Sequence, residues 1–159
     1  MTHKFIKSSL PIFILLCLSI EIVASYWTHQ SVTTWYLELS KPSWNPPGWV
    51  FGPVWTALYL MIAISGWLIY EAKSSHARSI TLTLYGAQLL SNLIWSFLFF
   101  ALKSPILGFL DIILLAILLI FTIINAWKVH KLSSVLLVPY FIWVVYATTL
   151  NAGIWFLNV

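Results

Sequence analysis

Residues 105–127, "PILGFLDIILLAILLIFTIINAW", run for 23 positions with a single formal charge, that of Asp111. About 20 mostly apolar residues cross the hydrocarbon core of a bilayer as an α-helix, so this run predicts a membrane span. Helix is the required form, because an open sheet would leave backbone N–H and C=O groups unpaired in lipid. Working outward, four more runs qualify: 10–27, 49–70, 80–101 and 134–156. The chain as a whole is 61% hydrophobic and 8% charged over 159 residues, against the roughly one-quarter charged residues of soluble domains. These features predict an all-α integral membrane protein, a bundle of five transmembrane helices. No charged, Gly/Ser-rich or low-complexity stretch divides it, so residues 1–159 read as a single domain. Five spans cannot form two equal halves and no internal repeat is visible, which argues against a transporter built from inverted repeats.

The first run has two readings. Lys4 and Lys7 before a short apolar core, with "VAS" at 23–25, resemble a secretory signal and its cleavage site, whereas Glu21 suits a retained helix better. Charge placement favours an ordered topology. Lys4, Lys7, Lys73, Arg78, Lys128 and Lys131 fall on one side of the five-span arrangement, and Lys41 and Lys103 on the other. By the positive-inside rule this predicts a cytoplasmic N-terminus in a bacterial-type cell membrane. The net charge of +4 thus belongs to membrane orientation, and no nucleic-acid partner is expected. The lone Cys17 reads as a small buried hydrophobe.

Polar groups inside the spans are the next signal. Tyr85, Gln88, Asn92, Trp95 and Phe99 follow each other at helical spacing and form one stripe. Tyr140, Trp143, Ala147 and Asn151 do the same in the last span. Two such faces would line one cavity, the indoles giving flat apolar surfaces and the amides orienting a ligand. Alternatively the amides bind neighbouring helices, worth about 0.6 to 2 kcal/mol each. Trp27, Trp49, Trp127 and Trp155 sit at span ends and read as interfacial anchors, whereas Trp55, Trp95 and Trp143 lie deeper and are pocket candidates. Glu21 and Asp111 are the carboxylates within the spans, functional candidates by the cost of burying their charge, although an interhelical hydrogen bond would also explain Asp111.

All four histidines, His3, His29, His76 and His130, fall outside the facing positions a membrane haem carrier needs. No nucleophile elbow, phosphate loop or zinc-ligand cluster is present, so no metal and no cofactor are expected. Ser79, Thr83, Ala87 and Ser91 form a small-residue face suited either to a homodimer seam or to internal packing, and Gly48, Gly52 and Thr56 form a weaker one.

The connector "WYLELSKPSWNPPGW" (35–49) carries Pro42, Pro46 and Pro47, which push the residues before them toward extended conformations. A stiff aromatic segment of this kind at about 28–48 is suited to close one mouth of the bundle as a lid, or to serve only as an anchor. "WYLELSKPSWNPPGWVFGPVWTALY" (35–59), "YGAQLLSNLIWSFLFF" (85–100) and "VPYFIWVVYATTLNAGIW" (138–155), in this order and with Asp111 in "GFLDIILLA" (108–116), closely resemble the translocator protein or tryptophan-rich sensory protein family, TspO/MBR or peripheral benzodiazepine receptor-like.

That resemblance implies a five-helix bundle, usually a homodimer, whose first connector caps a pocket. It implies a membrane receptor or sensor that binds porphyrins such as protoporphyrin IX and related hydrophobic ligands, with a role in tetrapyrrole transport or stress regulation. The alternative it brings is an enzyme that degrades protoporphyrin IX oxidatively in light, with Trp55 and Trp143 as reactive positions. By the same resemblance the ligand-binding residues are Tyr36, Trp55, Gln88, Asn92, Trp95, Trp143, Ala147, Leu150 and Asn151. Porphyrin propionates are expected to face Lys41 or Lys103. The cholesterol motif of mammalian members is missing from "LNAGIWFLNV" (150–159), while "LIYEAK" (68–73) meets the same loose pattern.

Overall fold

A computed structural model describes residues 3–159, with side chains from Ser9 onward. Helix α1 spans His3–Val32, α2 is the short turn Trp35–Glu38, and α3 covers Phe51–Glu71 after a 3₁₀ turn at Gly48–Val50. Helix α4 (His76–Ser96) runs on into a π-helical turn at Phe97–Ala101, followed by α5 (Pro105–Val129) and α6 (Lys131–Leu157). Five helices are long and apolar enough to cross a membrane: α1, α3, α4 with its π turn, α5 and α6. The expected spans recur with ends shifted by a few residues, most at α1, which continues to Val32. Residues 28–32, the first part of the segment expected at about 28–48, belong to α1, and the connector after it starts at residue 33.

Local sequence sets the helix ends. The Ser75 hydroxyl accepts from the Arg78 N–H at the start of α4 (3.1 Å), and Ser104 does the same for Leu107 ahead of Pro105 in α5 (3.4 Å). His130 alone separates α5 from α6: its N–H closes α5 on Ala126 O (2.7 Å) and its Nδ1 accepts from Ser133 N (3.4 Å). Lys103 takes a left-handed φ of 52° to turn α4 into α5. In the π turn Leu102 N–H reaches back five residues to Phe97 O (2.9 Å). The extra residue in that turn lets Phe99 and Phe100 both face inward beside Trp95.

The core runs among α1, α3, α4, α5 and α6, and within it Ile62, Leu119, Leu137 and Tyr140 are wholly enclosed. Ser65 and Ser133 exchange hydrogen bonds across α3 and α6 at 2.8–3.1 Å, and Gly66 lets Tyr85 of α4 lie directly against α3. Large apolar side chains such as Leu15, Leu114, Phe121 and Ile142 point outward, as a lipid-facing surface requires. Helix α1 is a full member of the bundle: Cys17 is buried against the Tyr85 hydroxyl (3.6 Å), and Ser31 Oγ donates to Phe100 O (2.6 Å). The small-residue face of α4 divides, Ser79 and Thr83 lying exposed and Ser91 buried. Asp111 is enclosed between α5 and α4 and accepts from Ser91 Oγ (3.3 Å), so its interhelical role is the one realised.

The chain reverses at each helix end, so Lys73, Arg78, Lys128 and Lys131 gather at the end opposite the 33–47 connector. Lys4 and Lys7, which share in the expected bias, and His3 lie outside the described side chains. The connector itself is tied to α6. Ser40 N–H donates to Asn158 Oδ1 and Asn158 Nδ2 to Ser40 O, both 2.9 Å. Tyr146 OH donates to Trp44 O (2.7 Å), and Pro42 fills the space that a side chain at Gly153 would need.

Candidate ligand cavity

Beneath that connector a cavity of about 530 Å³ opens within the bundle, inside the range of small-molecule sites. Three helices and the connector supply its aromatic walls. Trp55 of α3 stands edge-on to Trp143 of α6, with ring centroids 6.5 Å apart at 88°, and Phe51 also packs against Trp143 at 5.9 Å. On α4, Trp95 stacks on Phe99 at 5.3 Å and 19°. Tyr36 of α2 closes this cluster from above, 6.3 Å from Phe99 and 5.9 Å from Phe100.

The amides hold these rings in place. Asn151 Oδ1 accepts from Trp95 Nε1 (3.0 Å) while its Nδ2 donates to Pro105 O (2.8 Å), so one side chain ties α4, α5 and α6 together. Asn92 Oδ1 accepts from Tyr59 OH (2.5 Å) and its Nδ2 donates to Tyr140 OH (2.9 Å), a buried layer joining α3, α4 and α6. Because these groups satisfy one another, the cavity presents mainly π faces and apolar edges to a ligand.

At the cap, Tyr36 OH donates to Asn45 Oδ1 (3.3 Å) and Lys41 Nζ lies 4.7 Å from the Tyr36 ring centroid. Lys41 Nζ also donates to Leu39 O (3.0 Å). Burial pushes the Tyr36 hydroxyl above its ordinary pKa, the Asn45 bond opposing part of that shift. Tyr36 is therefore a neutral donor at physiological pH.

Tyr36, Trp55, Asn92, Trp95, Trp143, Ala147, Leu150 and Asn151 all border this one space. Gln88 does not. It lies one turn before Asn92 on α4, on the far side of the Tyr59–Asn92–Tyr140 layer, fully buried with neither amide atom partnered among the described residues. Lys103 is also displaced from its expected position: it stands exposed in the α4–α5 turn, and only Lys41 of the two borders the cavity. The wall that sequence reasoning missed is α1, which contributes Glu21, Ala24, Ser25, Thr28, His29 and Val32. Its signal was present, since 21, 24/25 and 28 share one helical face and carry small or polar residues in an otherwise apolar run.

Comparison with known proteins agrees with this architecture. The profile of the TspO/MBR family matches residues 13–156. Tryptophan-rich protein TspO of Archaeoglobus fulgidus is 41% identical over 91% of this chain and 94% of its own length. Translocator protein of Homo sapiens is 33% identical over 84% of this chain and 80% of its own. Tryptophan-rich sensory protein of Cereibacter sphaeroides is 33% identical over 74% and 72%. With its five apolar helices and with the family match reaching into all of them, the chain is an integral membrane protein that belongs to the TspO/MBR family.

Proposed function

We propose that this protein is a membrane receptor for flat, hydrophobic tetrapyrroles of the protoporphyrin IX type, acting in their sensing or traffic. The observation that carries this reading is the convergence of Tyr36, Trp55, Trp95 and Trp143 on a single cavity of about 530 Å³ under a proline-stiffened cap. A flat macrocycle lies against indole faces, and Lys41 at the cap supplies a cation for a peripheral carboxylate. The relatives named for sensing and translocation support the receptor role. The lysine and arginine bias supports a cytoplasmic N-terminus in a bacterial-type cell membrane, with the cap on the opposite face.

Titrating the detergent-solubilised protein with protoporphyrin IX, followed by the porphyrin's own absorbance band, tests this. Wild type is expected to saturate, and Trp143→Leu to bind about tenfold more weakly. Lys41→Gln is expected to weaken the free acid about threefold and its dimethyl ester hardly at all. Lys103→Gln should alter neither. Absence of saturation, or identical curves for wild type and Trp143→Leu, would overturn the proposal.

A second reading rests on the perpendicular Trp55–Trp143 pair in the cavity wall, two oxidisable indoles beside any bound photosensitiser. Under illumination in air, light-dependent degradation of protoporphyrin IX is expected to stop in Trp55→Phe and Trp143→Phe while binding persists. Equal product from wild type and both variants would eliminate these indoles as reactive groups.

A further inference from the structure

Of the four acidic residues in the chain, only Glu21 borders the cavity. It sits within the apolar body of α1, where an unpaired carboxylate is costly. Its Oε1 accepts from Thr56 Oγ1 of α3 (2.7 Å), its Oε2 has no hydrogen-bond partner among the described residues, and none of their cations pairs with it. The nearest basic side chain on its own helix that borders the cavity, His29, is eight residues on, about 12 Å along the axis. Lys41 is engaged with the cap carbonyls and the Tyr36 ring. Asp111 shows the contrast: it is enclosed between α4 and α5 and does not border the cavity.

Glu21 is therefore a carboxyl group on the cavity wall with no basic partner among the described residues. Thr56 ties it to α3, whose Trp55 and Tyr59 border the same cavity. A carboxylate next to electron-rich rings is the surrounding that a protonated amine prefers, since the cation gains an ion pair and ring-face attraction at once. We infer that Glu21 makes this cavity selective for flat aromatic ligands bearing a protonated nitrogen, which is seated between the Glu21 carboxylate and the aromatic wall of α3. The inference rests on the reading of the cavity as a ligand site and adds a charge requirement to it. With Lys41 at the cap and Glu21 lower on the wall, the site carries opposite charges at two levels, suited to a ligand with an acidic group at one edge and a basic nitrogen at the other.

The test compares 9-aminoacridine, a planar tricycle protonated at neutral pH, with its neutral parent acridine. Binding is measured in a non-ionic detergent so that micelle charge does not concentrate the cation. Wild type is expected to prefer 9-aminoacridine by about tenfold. Glu21→Gln keeps an oxygen to accept from Thr56, and is expected to bring the ratio near one while changing acridine affinity less than about twofold. A wild-type ratio near one, or an undiminished preference in Glu21→Gln, would overturn the inference, leaving Glu21 as a tie between α1 and α3. Protoporphyrin IX titrated in parallel separates the two readings. Protein that prefers the amine but does not take up porphyrin retains this inference and loses the tetrapyrrole reading. Protein that binds porphyrin without amine preference does the reverse, and protein that binds none of the three loses both.

Discussion

Replacing Asn92 with Leu is expected to lower stability by about 2–5 kcal/mol, seen as a drop of roughly 10 °C in apparent unfolding temperature in detergent. The side chain is buried, and its amide is the sole link between the hydroxyls of Tyr59 (2.5 Å) and Tyr140 (2.9 Å). Leucine is close in volume, so the loss arises from two hydroxyls deprived of a partner rather than from a hole. Leaving a buried polar group unsatisfied costs about 1–3 kcal/mol, whereas removing donor and acceptor together is nearly neutral. The triple variant Asn92→Leu, Tyr59→Phe, Tyr140→Phe should accordingly recover more than half of the loss. An Asn92→Leu protein that unfolds with the wild-type midpoint would show that this layer contributes nothing.

The second large effect is expected at Gly66. A Cβ there would collide with the ring and hydroxyl of Tyr85 and stand 2.8 Å from Phe13 Cδ1. Tyr85 cannot simply swing aside, because its hydroxyl donates to Ile62 O (2.9 Å) and contacts Cys17. Gly66→Val therefore has to part α3 from both α1 and α4, at a cost of about 3 kcal/mol or more. Truncating the obstacle gives the check: Gly66→Val with Tyr85→Ala should be more stable than the sum of the single losses implies, a coupling that a double-mutant cycle in thermal unfolding measures. Strict additivity would place the strain elsewhere.

These two sites also show what the sequence could and could not convey. The spans were legible because lipid imposes one requirement, a long apolar helix, that few residue patterns mimic. The aromatic wall was legible because Trp95 and Phe99, or Trp143 and Ala147, repeat at the helical period. Depth along a helix was not, since Gln88 and Asn92 sit on the same face and differ in that Asn92 lies in the Tyr59–Asn92–Tyr140 layer and Gln88 beyond it. That layer is made by partners from α3 and α6, and the spacing within α4 contains no trace of them. Glu21 was visible as an intramembrane acid, but its place on the cavity depends on α1 lying against α3. The π turn at Phe97–Ala101, which aims both Phe99 and Phe100 inward, likewise has no local signature in a run of apolar residues.

The attachment of the connector to the last helix has a kinetic consequence. Lifting it means breaking both Asn158 bonds, the Tyr146–Trp44 bond and the Pro42–Gly153 contact, none of whose residues borders the cavity. On the receptor reading proposed above, residence time and equilibrium affinity are governed by different residues. On that reading the last turns of α6 act as a latch that sets how long an occupant stays, while the rings below decide how tightly it is held.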